Sequence, residues 1–202
     1  MSPVRKRIHA AALRLFVEKN VGEVNVSELA QLAGVTRPTI YNNLDSIESL
    51  FEDVAAQLSA EMNDRVGRSA SSEVDPAQRM ANGIRFYVRR AHEEAHWGRF
   101  IARYATSTRT LQQMWQGAPM IDVLSGIASK RYTIRQEQLP GVMGMIGGTV
   151  LSAMVLVLEG HRGWRDAGSD AAEMVLRALG VSAEDAYAFA IAELPVLPPP
   201  LE

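Results

Sequence analysis

Apolar positions recur at helical spacing along almost the whole chain. Ile8, Ala11, Ala12, Leu15 and Phe16 fall on the i, i+3, i+4, i+7, i+8 template, which predicts a first amphipathic helix with one face in a core. Ser2 and Pro3 supply its N-cap and first-turn proline, and it is expected to end near residues 19–20. Residues 21–26 alternate weakly, but the stretch is too short and isolated to found a sheet, so it reads as a connector.

Next comes a closely specified pair. Asn25 is positioned to cap a helix over 26–33, Glu28 to reach back and complete a capping box, and Val24 to staple onto Leu29. Gly34 stops that helix, Thr36 caps a second one over 37–43, and Pro38 is tolerated in its first turn because the missing amide would have no intrahelical partner. Two short helices joined by a glycine-containing turn are the helix-turn-helix plan. Ser46 opens a longer helix from Ile47 into the sixties, with a break expected at 67–72. Further helices are expected over 75–96, 98–107, 110–128, 137–160, 170–179 and 183–194, followed by a proline-rich extended segment at 197–200. No strand–helix–strand series appears. The expected fold is all-α: a three-helix head over residues 1–46 on a larger helical body over 47–202.

Composition narrows the chemistry. The 202 residues contain no cysteine, so there is no disulfide framework, thiolate zinc site or thiol nucleophile. With 21 basic against 23 acidic residues, the net charge of -2 excludes coating nucleic acid by bulk charge. The basic run Arg5, Lys6, Arg7 precedes an amphipathic stretch rather than the continuous apolar region of a secretory signal, so the N-terminus reads as part of a mature, cytoplasmic protein.

The second helix of the pair is suited to a major groove. Ile40 and Leu44, four apart, form an inner face, which leaves Arg37, Pro38, Tyr41 and Asn42 pointing outward. An arginine suits bidentate pairing with guanine, a proline can lie against a thymine methyl, and Tyr41 or Asn42 can reach a phosphate or base edge.

The residue identities add to this pattern. The segments Ile8-His-Ala-Ala-Ala-Leu-Arg-Leu-Phe16, Val26-Ser-Glu-Leu-Ala-Gln-Leu-Ala-Gly-Val-Thr36, Pro38-Thr-Ile-Tyr41 and Ser46-Ile-Glu-Ser-Leu-Phe51 resemble the N-terminal domain of TetR/AcrR-family transcriptional regulators. The resemblance implies a homodimeric DNA-binding protein whose residues 47–202 bind an effector and dimerise, usually a repressor released from a palindromic operator by a small molecule; separately, no glycine-rich phosphate loop and no Ser with a signposted base is present, so no cofactor and no catalytic residues are expected. It points to Ser27, Thr36, Arg37, Pro38, Thr39, Tyr41, Asn42 and Asn43 as the DNA-binding set. The chain departs from the family where Pro38 replaces a frequent Gly, where Asn43 replaces His or Tyr, where Leu44 replaces Phe, and where Ile47 replaces a phosphate-binding Lys. Residues 1–60 carry six basic and seven acidic groups, so Arg37 and the Arg5–Arg7 cluster are expected to bear an unusual share of the DNA electrostatics.

Three features compete with this reading. His92-Glu93-Glu94-Ala95-His96 is a formal HExxH on an expected helix, the zinc-protease signature, and carries the opposing class of a metal-binding helical protein or metallohydrolase. Against it stand the charged Glu94 and the lack of a signposted third ligand, so no metal site is assigned. Residues 139–158 are uncharged over 20 positions, long enough at about 1.5 Å per residue to cross a bilayer. Their proline and glycines favour a buried or dimer helix instead, with Gly144, Gly148 and Ser152 spaced by four for close backbone approach and a second dimer helix in 170–179 or 183–194. No membrane partner is expected. Lastly, Trp97, Phe100, Tyr104, Met114, Trp115 and Met143, with His92, His96, Arg103 and His161 as polar anchors, are candidates for a pocket that takes a hydrophobic or aromatic effector. Each bulky apolar member of that set would equally suit a plain core.

Overall fold

The computed structural model describes residues 1–69 and 75–201, and every regular element among them is helical. The head consists of α1 (Pro3–Glu18), α2 (Val26–Ala33) and α3 (Arg37–Tyr41). Ser2 caps α1 by accepting from the Arg5 amide, and the buried face of α1 carries Ile8, Ala11, Ala12, Leu15 and Phe16. The connector at Val21–Glu23 is a single 3-10 turn. Asn25 caps α2 by accepting from the Glu28 amide at 3.0 Å, and Gly34 closes that helix in the left-handed region at φ 63°, where a Cβ would be strained. The expected capping box does not form. The Glu28 carboxylate instead accepts from Lys19 Nζ at 2.6 Å, because the end of α1 brings a full positive charge within reach and outcompetes a neutral amide.

The body opens with α4 (Ile47–Ser69), whose N-terminus is fixed by reciprocal backbone-to-hydroxyl bonds between Ser46 and Ser49. It runs straight through Gly67, where a break was expected, while the rest of that expected break (70–72) lies outside the described residues. Then come α5 (Pro76–Glu93), α6 (Ala95–Tyr104), α7 (Arg109–Gln112), α8 (Ala118–Ala128), α9 (Leu139–Leu158), α10 (Trp164–Ala178) and α11 (Ala183–Ile191). The stretch 110–128, expected as one helix, is divided into α7, a 3-10 turn at Gln113–Gln116 and α8 by the non-helical Gly117. α10 begins six residues earlier than the expected 170, at Trp164.

The long expected helix at 75–96 is also two helices. Glu94, at φ -124° and ψ 73°, ends α5, and α6 folds back so that Gly98 packs on Ala91. A Cβ at Gly98 would stand 2.8–3.2 Å from Ala91 atoms, so only glycine allows this close return. In the body, α5 packs against α6, α8, α9 and α10.

α9 is long and apolar enough to cross a bilayer, with a mean hydropathy of 2.1 over its most apolar window. Here it is a core helix: Val142, Ile146, Val150, Met154 and Val157 are buried against the body. Its opposite face, with Gly144, Gly148 and Ser152, is open.

Candidate nucleic-acid interface and ligand chamber

Helix α3 is short, and three contacts fix its orientation. The Thr36 hydroxyl lies 2.8 Å from that of Thr39 and accepts from the Thr39 amide at 3.4 Å, which caps the first turn. Ile40 is fully buried and pins the inner face, with Leu44 partly buried beside it. The helix ends at Tyr41, two residues before the expected 43, and the Asn43 side-chain amide donates to the Thr39 carbonyl at 2.8 Å. Asn43 therefore satisfies its own helix end, while Arg37, Pro38, Tyr41 and Asn42 are exposed and Ser27 on α2 is half-buried. Tyr41 is 65% exposed, a large cost for a phenol ring without a partner to cover it.

Arg37 makes no hydrogen bond or ion pair among the described residues, so its five donors face outward unused. Arg5 differs: it donates to Asp53 of α4 at 2.6 Å, which ties α1 to α4 and offsets part of the basic cluster. Lys19 is likewise neutralised by Glu28.

An aromatic cluster couples this head to the body. Phe51 of α4 stands 5.3 Å from Phe16 of α1, 5.5 Å from Phe100 and 5.0 Å from Tyr104 of α6, centroid to centroid. Arg103 adds hydrogen bonds to the Val17 carbonyl at 2.9 Å and to Asn20 at 2.8 Å. Phe100, Tyr104 and Arg103, expected at an effector pocket, are thus the joint between α6 and the head. His9 of α1 lies in the same seam; its Nδ1 is 2.6 Å from Gln57 Oε1, and burial lowers its pKa despite that bond.

The internal cavity lies elsewhere, between α4, α5, α8 and α9. It is lined by Val66, Met80, Ile84, Tyr87, Trp115, Pro119, Asp122, Ile146 and Val150, with Gly83 at one wall. Of the residues expected there, Trp115 alone is among these. Met114 and Met143 are packed in the core, as is Trp97, whose ring lies 5.9 Å from Tyr87. The cavity has a volume of about 20 Å³, room for about one water.

Two polar groups in these walls were not anticipated. The Tyr87 hydroxyl is fully buried and has no hydrogen-bond partner. Asp122, its side chain 10% exposed, accepts from Arg79 Nε at 2.7 Å. Burial raises its pKa, and the Arg79 bond offsets only part of that shift. The surface that the cavity presents is almost wholly apolar, so the Tyr87 hydroxyl and the Asp122 carboxylate lie behind it and would meet a bound molecule only when the walls part. Periodicity marks Tyr87 as core and Asp122 as one acid among many, and their meeting depends on the packing of α5 against α8.

The HExxH pattern fails as a zinc site. The break at Glu94 puts His92 and His96 on different helices, not one turn apart on the same one, and both rings are exposed. Among the described residues, no group of three His, Asp or Glu side chains is placed to hold a metal. His161 is exposed in the α9–α10 turn, so none of the expected polar anchors lines the cavity.

Residues 8–54 match the model for bacterial regulatory proteins of the tetR family, and residues 75–192 match the tetracyclin repressor-like C-terminal domain. The fold superposes on RolR in complex with resorcinol with a TM-score of 0.75 and 25% identity, covering 96% of both chains. It also superposes on FadR from Bacillus subtilis in complex with stearoyl-CoA with a TM-score of 0.71 and 18% identity, covering 88% of this chain and 98% of that one. An HTH-type transcriptional regulator of Mycobacterium tuberculosis is 27% identical over 103 residues, 51% of this chain and 49% of that protein. The chain thus spans about half the length of the curated relatives it matches. With matched models over both head and body, the chain belongs to the tetR family of bacterial regulatory proteins.

Proposed function

We propose that this protein is a ligand-responsive transcriptional regulator of the cytoplasm, a homodimeric repressor whose residues 1–46 bind a palindromic operator and whose residues 47–202 bind an effector and dimerise. The observation that carries this reading is the exposed face of α3, where Arg37 has no partner and Tyr41 lies open while Ile40 is locked in the core. Thr36, Pro38, Thr39 and Asn42 flank these two and suit phosphate and base-edge contacts, with Ser27 on the preceding helix.

One rigid element spans both sites. Phe51 in the head cluster and Val66 in the chamber wall both belong to α4, roughly 22 Å apart along its axis at about 1.5 Å per residue. An apolar ring needs a cavity of about 150 Å³, far more than the present one, so an effector must push the walls apart. Displacing the Val66 end of α4 re-aims the Phe51 end, and with it α3. Two copies of α3 must meet half-sites about 34–36 Å apart or a multiple of that distance, so a small tilt is enough to lose the operator. Support for the effector's chemistry comes from the apolar walls, from the Tyr87 hydroxyl and Asp122, and from RolR, which was solved with a dihydroxybenzene. A small hydroxylated aromatic fits all three.

The dimer surface is assigned to the open face of α9, where Gly144 and Gly148 have no atom within 4 Å of an added Cβ and Ser152, Val155 and Leu156 are exposed. α10 packs on α9 and carries the exposed Met174, which supports it over α11 as the second helix of a four-helix bundle. The test is footprinting on DNA upstream of the protein's own gene. A protected palindrome that disappears with Arg37→Ala supports the reading, and no sequence-selective protection by the wild type overturns it.

A further inference from the structure

α11 is followed by a segment without regular secondary structure. It is extended and crosses back to α4, more than 130 residues earlier in the sequence. Leu194 and Leu197 are partly buried against the core. Arg65 Nε then donates to the Pro198 carbonyl at 2.7 Å, and the Arg68 guanidinium donates to the Pro199 carbonyl. Pro200 and Leu201 continue into a cleft of about 700 Å³ that they line together with Lys6, His9 and Leu13 of α1 and Gln57 of α4.

Each step has a physical reason. Pro198, Pro199 and Pro200 have no N–H groups and favour an extended, left-handed backbone whose carbonyls need outside donors. Guanidinium groups supply charge-assisted donors in a fixed fork. Arg65 is only 12% exposed in its side chain and is wired into the body: it pairs with Glu61 at 3.3 Å, and Glu61 also accepts from the buried Arg90 of α5 at 2.8 Å. The segment therefore holds α4 where it leaves the α5 network and reaches the seam where α4 meets α1.

We infer that residues 194–201 are a strap acting in cis: docked across α4, they hold the head in the arrangement that accompanies a closed chamber, and their release is linked to chamber opening. The inference goes beyond the proposed function and rests on it only for the DNA readout. A ligand that opens the chamber must then also displace the strap, and loss of the strap favours the open state by the same linkage.

The test compares the full chain, a chain ending at Leu197, and the double variant Arg65→Met/Arg68→Met, which keeps the segment but removes its donors. Amide hydrogen exchange over residues 54–69 is expected to be at least about fivefold faster in both altered proteins and unchanged in α9. Binding to labelled DNA from upstream of the gene is expected to weaken about 5–50-fold, within the usual range of a coupling between sites. A synthetic peptide of residues 194–202 added to the shortened chain should restore slow exchange. Exchange equal to that of the full chain in either altered protein overturns the strap, whether or not DNA binds. Faster exchange in proteins that all fail to bind DNA upholds the strap and overturns the regulator reading instead. If the shortened chain fails to fold, the double variant alone decides.

Discussion

The Tyr104 hydroxyl donates to the backbone carbonyl of Phe16 at 2.9 Å, so a side chain from α6 completes the hydrogen bonding of the last turn of α1. With the Arg103 bonds to Val17 and Asn20, it joins α6 to α1 and the turn that follows, and the Tyr104 ring meets Phe51 of α4 edge to face. Tyr104 therefore ties α6 to α1 and does not line the cavity between α4, α5, α8 and α9. Tyr104→Phe is expected to keep the ring packing and to cost about 1 kcal/mol of stability. Phe51→Ala, which hollows the cluster, is expected to cost about 3–5 kcal/mol by chemical denaturation.

Arg37 and Asn43 should separate sharply. Because Arg37 is exposed and unpaired, Arg37→Ala should leave the melting temperature unchanged while lowering specific DNA affinity by about 1–3 kcal/mol, the usual value of one bidentate base contact. Asn43→Ala removes a bond to the Thr39 carbonyl and should instead cost about 1 kcal/mol of stability, with DNA binding reduced little in the folded protein. Fluorescence anisotropy on the protected fragment, paired with thermal melts, checks both.

The chamber is expected to respond to removal of its spare hydroxyl. Tyr87→Phe deletes a buried oxygen that has no partner, so the unliganded protein should be as stable or slightly more stable. Affinity for a dihydroxybenzene, measured by calorimetry, should fall about tenfold, since an interaction worth about 1.4 kcal/mol is lost. Tighter or equal binding would remove Tyr87 from the site.

The open face of α9 offers a test in which folding and assembly move in opposite directions. Nothing lies within 4 Å of a Cβ at Gly148, so Gly148→Glu should be accepted by the single chain and should even favour the helix by up to about 1 kcal/mol. The same change places two carboxylates against each other in the proposed dimer. Sedimentation should show a folded monomer where the wild type is a dimer.

His9 predicts a dependence on pH. Burial favours its neutral form and lowers its pKa in the folded state; the Gln57 bond and the Asp53 charge oppose that shift, and the Arg5 charge adds to it. The unfolded chain therefore takes up a proton first, and the stability due to a neutral His9 is complete above the ordinary value of 6.5 and lost as pH falls through the lowered folded value. Thermal melts should show a fall in stability below about pH 6.5 that is smaller in His9→Gln.

Much of this molecule is determined by short-range sequence. The repeat of Ile8, Leu15 and Phe16, the caps at Asn25 and Thr36, and the turn at Gly34 act within a few residues of themselves, so the head and its exposed Arg37 were legible from spacing alone. What spacing could not reveal depends on which helices meet. Helix propensity carries the pattern through residue 94, but the return of Gly98 onto Ala91 breaks it and disables the His92–His96 pair. Phe100 and Tyr104 are apolar at the right period for either a pocket or a joint, and only the position of α1 beside α6 selected the joint. Tyr87 and Asp122 came together because α5 and α8 pack side by side, across 35 residues of chain. Periodicity determines which face of each helix is buried, whereas only tertiary packing decides what that face is buried against, because the hydrophobic effect that drives burial has no direction of its own.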